Sequence, residues 1–203
     1  LFLISTFTGC LNSNESNDSI EEEWIDPIVE TENCDNCTGL DNNHQPTSRT
    51  IILRSCIKED KILTFHSDFR SPKTIDIKKN NECFLLFYSS KLKEQLRIKV
   101  LSSLQYKNHI TKEAWEKTQL MSRKCYLTSF PPGHLINYPT DGIPDHLIGK
   151  EPEKIESEKG YINFCVIINY IQSIDWVYLS SKGNKRILFS KSNNNFLSQW
   201  KIP

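Results

Sequence analysis

The stretch FHSDFRSPK, Phe65 to Lys73, decides how this chain is read. KILTF before it (61–65) is apolar and β-branched, as a strand is. TIDIKKN after it (74–80) has the makings of a short helix ending in basic residues, with Ser71 as N-cap and Pro72 at the first helical position. A strand-to-helix turn this rich in hydroxyl, acidic and basic groups suggests an anion site, because a helix N-terminus carries a partial positive charge. Lys73 opposes that dipole if it stands alone, and fits the position if a phosphate lies between it and the helix end.

Outward from the turn, TIILRSC (50–56), CFLLFYSS (83–90) and EQLRIKVLSSLQY (94–106) read as antiparallel strands, and KEDK (58–61) as a hairpin. TKEAWEKTQLMSR (111–123) reads as a second helix, with Ala114, Trp115, Thr118 and Met121 on one face. The Pro- and Gly-rich stretch from Pro131 is loop. YINFCVIINYIQSIDWVYLSS (161–181) is too long for one ordinary strand and is expected to divide at Gln172–Ser173. KRILFS and FLSQWKIP close the chain. The fold class expected is mainly β: a barrel of six to seven antiparallel strands, closed or split, with small helices.

The 203 residues, 37% hydrophobic, suit one domain with an embellishment. No apolar run approaches the ~20 residues of a membrane helix. LFLIS at the start is too short for a signal segment, and TFTGC only faintly resembles a lipoprotein cleavage site; the alternative is that residue 1 lies inside a first strand, and the family resemblance given below makes residues 1–9 the first barrel strand. Residues 10–43 are acidic and rich in Asn and Ser, and are expected to be a disordered insertion with a docking patch at Trp24–Ile28. The domain proper is placed at 44–203. All ten acids of residues 1–48 precede the first basic residue, Arg49, which leaves 25 basic residues against 15 acids in the remainder. A basic body suggests an anionic ligand or a solvated lysine face. Nucleic acid is disfavoured, since no Lys/Arg stripe or recognition motif is present. Seven cysteines, with Cys56, Cys83 and Cys165 in strand-like settings as buried free thiols, point to a reducing, cytoplasmic compartment. Cys34 and Cys37 have metal-ligand spacing, with His44 as a third candidate and no fourth, so no metal is expected.

Four motifs in order carry a family resemblance: SRTIILR, LTFHSDFRSPK, NNECFLLFY and EQLRIKV. Together they resemble the flavin mononucleotide (FMN) binding domain of the pyridoxamine 5′-phosphate oxidase-like family, whose fold is the Greek-key FMN-binding split barrel. The resemblance continues more weakly through AWEKTQLMSRKCY and the C-terminal strands. It implies FMN as cofactor, with Arg49 and Lys73 on its phosphate, helped by Ser71. It places Arg54, His66 and Ser67 near the isoalloxazine ring, Gln95 on the ring or ribityl chain, and Arg186 at the pyrimidine end. It gives Arg123 and Trp115 to the substrate side, and identifies no catalytic residue. It implies a homodimer with FMN at the subunit interface. The implied activity is hydride transfer from a small molecule to FMN, with pyridoxamine or pyridoxine 5′-phosphate, and hence vitamin B6 metabolism, as candidate. Gln119 stands where the oxidase has a basic residue, and SKGNKR lacks its Arg-x-His pair. Two rival readings are an FMN-binding module without turnover (sensor, store or regulatory subunit) and a degenerate barrel used for protein interaction.

Overall fold

In the computed structural model, residues 36–41, 45–193 and 195–203 are described. The strand before the opening turn is β4 (Ile62–Asp68), and the helix after it is α1 (Pro72–Lys79). Ser71 is the N-cap as expected, with extended backbone, but its hydroxyl caps no helix N–H. The other strands are β1 (Asn36–Leu40), β2 (Pro46–Thr50), β3 (Leu53–Ile57), β5 (Glu82–Ser89), β6 (Glu94–Gln105), β7 (Phe164–Tyr178), β8 (Lys185–Ser192) and β9 (Asn195–Lys201). All pair antiparallel in one sheet, in the order β2-β1-β5-β6-β7-β4-β3, with β8 on β7 and β9 on β8.

Alternation gives the sheet two faces. The inner face gathers Leu63, Phe65, Leu85, Ile98, Val100, Ile167, Ile171 and Ile174 with Ile77 of α1. Leu53 of β3, Phe189 of β8 and Phe196 of β9 pack on the same core. One core shared by β3, β8 and β9 requires the sheet to curl. On the outer face a second cluster, Trp115, Tyr126, Phe164 and Val166, seats α2 (His109–Lys117). Gly160 lets that cluster close: a Cβ there would lie 3.1 Å from Tyr126 Cβ and 3.3 Å from the Trp115 ring. No helix among the described residues is long and apolar enough to cross a membrane.

Several expectations are corrected. The strand at 50–56 is two strands, broken at Ile51–Ile52, and the described strands number nine rather than six or seven. The stretch 161–181 holds one long strand, β7. Its expected break is a bulge, because Lys99 pairs with Ser173 and Val100 with Ile171, leaving Gln172 unpaired. There β7 also changes neighbour: β4 pairs with it up to Tyr170, and β8 from Ser173.

The helix expected at 111–123 is two helices, α2 and α3 (Leu120–Arg123), because the side chain of Arg123 ends α2. Its Nε donates to Thr118 O at 3.0 Å, and its Nη2 to Trp115 O and Glu116 O at 2.7 and 3.3 Å. A helix C-terminus leaves such carbonyls short of partners, although that of Trp115 also accepts from Thr118 N at 3.0 Å.

Residues 36–40, read as part of the insertion, form β1, which takes β2 and β5 as neighbours. The strand expected at 1–9, the docking patch at 24–28, Cys34 and His44 lie outside the described residues. Cys56 is exposed and disulfide-bonded, not a buried free thiol; Cys83 and Cys165 are buried and free as expected.

Candidate functional site

The turn at 65–73 divides its polar groups between two tasks. Asp68 and Arg70 serve the fold. Asp68 Oδ1 accepts from Arg70 N and Nε, and Oδ2 accepts from Arg70 Nη2 at 2.7 Å. The same guanidinium reaches Thr128 O at 3.1 Å and Thr128 Oγ1 at 3.0 Å, tying the turn to the loop after the outer helices. Sequence reasoning missed this clamp. Ser71 is buried at the helix start.

Lys73 faces a hollow that it shares with Arg49, Thr47 and Gly39 of β1–β2 and with Asp76 of α1. Two of the residues expected on a phosphate thus line one hollow, which follows the side of α1 from Lys73 in its first turn to its C-cap, Asn80. Arg49 is held in place by Thr47 Oγ1 at 3.1 Å and, at 3.7 Å, by Asp76.

His66 and Ser67 lie on opposite faces of β4. Ser67 is buried, with its hydroxyl donating to Asp68 O at 3.3 Å. His66 is on the outer face, edge-on to Phe164 at 4.8 Å. Its Nδ1 is buried and finds no hydrogen-bond partner among the described residues. Burial, then the charge of Arg54, lowers its pKa to about 4, so the ring is neutral at pH 7. Arg54 is exposed and occupies a bulge, since Leu53 pairs with Phe65 and Ser55 with Thr64. The bulge frees Arg54 from the strand's alternation and sets it near His66.

Gln95 and Arg186 are brought together elsewhere. Both face Val177 in the sheet, one from each side. Arg186 makes a bidentate pair with Asp175, at 2.9 and 2.7 Å, and Arg97 joins the same carboxylate at 2.9 Å. The hydrogen bond from Arg186 holds the Asp175 carboxyl below its ordinary pKa. Asp175 and Arg97 were missed in the sequence, although an acid inside SIDWVY was a signal that something basic lies beside it.

The two groups lie at opposite ends of β6. Gln95 is in one row, and Gln105 faces Val166 and, through it, His66 in the other. That is roughly 30 Å along the strand at the usual rise per residue.

Trp115 and Arg123, expected on the substrate side, are interior. Trp115 is 2% exposed and donates Nε1 to Glu158. Arg123 is 4% exposed, and Nη1 donates to Ser157 Oγ and to Glu158 Oε1, so with the three carbonyls all five N–H groups have protein acceptors.

Known proteins share the fold and part of the sequence. Residues 29–101 match the sequence model of the pyridoxamine 5′-phosphate oxidase FMN-binding domain. Among solved structures, a pyridoxamine 5′-phosphate oxidase-related FMN-binding protein from Nostoc punctiforme is 17% identical, covers 87% of this chain and 90% of its own, and superposes with a TM-score of 0.66. PhzG from Burkholderia lata, in complex with tetrahydrophenazine-1-carboxylic acid, is 11% identical, with coverage of 84% and 82% and a TM-score of 0.65. At these identities the likeness is one of fold. No curated protein matches the sequence. Residues 29–101 thus match the pyridoxamine 5′-phosphate oxidase FMN-binding domain in sequence, and the chain shares the fold of these solved FMN-binding-type neighbours.

Proposed function

We propose that this protein binds FMN between two copies of itself and acts as a flavin-dependent oxidoreductase on a small molecule. The observation that carries the reading is the shared hollow of Arg49 and Lys73 beside α1, where a terminal phosphate would meet two cations, one of them in the first turn of the helix. The orphaned Nδ1 of His66 fits a ligand polar atom in the same way. The distance along β6 between the His66 row and the Gln95 row supports the dimer: one copy would supply His66, and the other Gln95 and Arg186, to one flavin.

When bound, the flavin supplies a two-electron acceptor for hydride. The chain supplies binding, orientation and charge. Lys73 and Arg49 hold the phosphate, and neutral His66 offers one donor or acceptor without adding charge. Arg186, oriented by Asp175, presents a cation that favours an anionic ring.

Pyridoxamine or pyridoxine 5′-phosphate is the candidate substrate. Against it, every donor of Arg123 is used within the fold, which removes the remaining cation expected for its phosphate. The same observation favours the second reading, an FMN module without turnover. A cytoplasmic setting is part of the proposal; the free thiols of Cys83, Cys125 and Cys165 support it, and the bonded Cys56 opposes it.

Two measurements test the reading. Sedimentation should give a dimer at micromolar concentration. Anaerobic mixing with pyridoxine 5′-phosphate should bleach the flavin absorbance if the candidate is the substrate. A dimer that keeps its colour is the module, and a monomer that holds FMN removes the interface from the account.

A further inference from the structure

We infer that the cleft on the Lys78 flank of α1 is a second ligand site, separate from the Lys73 hollow, for a small planar anion such as an aromatic carboxylate or sulfonate. The cleft has a volume of about 450 Å³ and lies between α1 and the end of β6. That is within the range of about 300–1,000 Å³ usual for small-molecule sites. Ile77 and Leu104 form an apolar wall, and Ser102 and Asn108 contribute polar edges.

Its distinctive feature is a column of four side chains, of which Phe69, Tyr106 and Lys78 line the cleft. The rings of Phe69 and Tyr106 are stacked, with centroids 3.6 Å apart and planes within 8°. Lys78 Nζ sits 4.4 Å from the Phe69 centroid, and Lys107 Nζ sits 5.1 Å from that of Tyr106. Lys107 holds its place with a left-handed backbone, φ 49°, which an L-residue adopts at a cost. No acidic side chain is among the residues that line the cleft. Two ammonium groups therefore rest on ring faces. A cation–π contact contributes only about 0.5–1 kcal/mol at an exposed site. An anion offers Lys78 a stronger partner. Its flexible stem can lift from Phe69, leaving the ring face for a planar body while the ammonium pairs with the charge.

The polar groups around the cleft are fixed by the fold, so its shape is preformed. Ser102 donates its hydroxyl to Asn169 Oδ1 at 2.8 Å. Asn108 is locked in the capping box of α2. Tyr106 donates its hydroxyl to Ile162 O at 2.8 Å, which holds the ring at its height.

The test is calorimetric titration of the purified full-length protein with 1-naphthalenesulfonate and with uncharged 1-naphthalenemethanol, monitoring flavin absorbance in parallel. The sulfonate should bind one per chain, at least tenfold more tightly than the alcohol, without releasing FMN. Lys78→Glu should weaken the sulfonate at least tenfold. Lys79→Glu, the same charge change on an exposed residue outside the cleft, should weaken it less than twofold. Equal loss in the two variants, equal affinity for the two probes, absence of saturable binding, or displacement of FMN by the sulfonate would each overturn the assignment. Apart from FMN displacement, these readouts test the cleft whether or not FMN is bound.

Discussion

Arg123→Ala should destabilise the protein by roughly 2–4 kcal/mol while leaving FMN affinity within about twofold. The guanidinium is 4% exposed and sits 4.7 Å over the Trp115 ring. Removing it strands the carbonyls of Glu116 and Thr118 at the end of α2 and leaves that of Trp115 with Thr118 N alone. A buried acceptor left without its donor costs about 1–3 kcal/mol. Breaking a buried ion pair costs about 3–5 kcal/mol, but Glu158 is half-exposed, and solvent recovers part of that loss. Lysine is no substitute, because one ammonium cannot reproduce the planar fork that serves five acceptors. Urea unfolding of wild type, Arg123→Ala and Arg123→Lys would measure this. An alanine variant as stable as wild type, with its defect confined to substrate KM, would return Arg123 to the substrate side.

Lys73→Ala is expected to weaken FMN by roughly 1–3 kcal/mol, or about 5- to 150-fold, the range of a charge-assisted hydrogen bond left unmade. Riboflavin, which lacks the phosphate, should lose almost nothing. Arg49→Ala should follow the same pattern. Lys79→Ala should be silent for both ligands, since it is an exposed charge at the far end of the same helix. Titration by flavin fluorescence quenching gives all of these values. Equal losses for FMN and riboflavin would mean that Lys73 supports the fold rather than a phosphate.

The strands that alternate cleanly were legible in the sequence. β5 and β6 fall within a residue of the expected bounds, because each has one face on the core and one outward. α1 was legible from its Ser-Pro start. β7 was not, because its apolar residues serve both faces: Ile167 and Ile171 pack in the inner core, and Phe164 and Val166 in the outer cluster. Periodicity marked Gln172 as an interruption but could not tell a bulge from a strand end. β1 was hidden by composition, since NCTGL has little strand character and is held by β2 and β5 rather than by its own propensity.

The site divides in the same way. Arg49 and Lys73 were placed from motif and helix physics, and the structure brings them to one hollow. Arg123 and Trp115 were placed by resemblance to a helix face, and the face turned out to point inward. A sequence shows that an arginine follows a helix; it does not show whether the side chain folds back on the helix's own carbonyls. Arg54 and Arg49, read on one strand, stand on two, β3 and β2, and the bulge in β3 sets Arg54 near His66.

The central claim is that the hollow beside α1 holds the phosphate of one FMN per chain. The most direct test is the visible absorption spectrum of the purified protein, with mass spectrometry of whatever heat releases. The account predicts a yellow protein that yields FMN at one equivalent per chain. Recovery of FAD, or a colourless protein that takes up no added FMN, would contradict it.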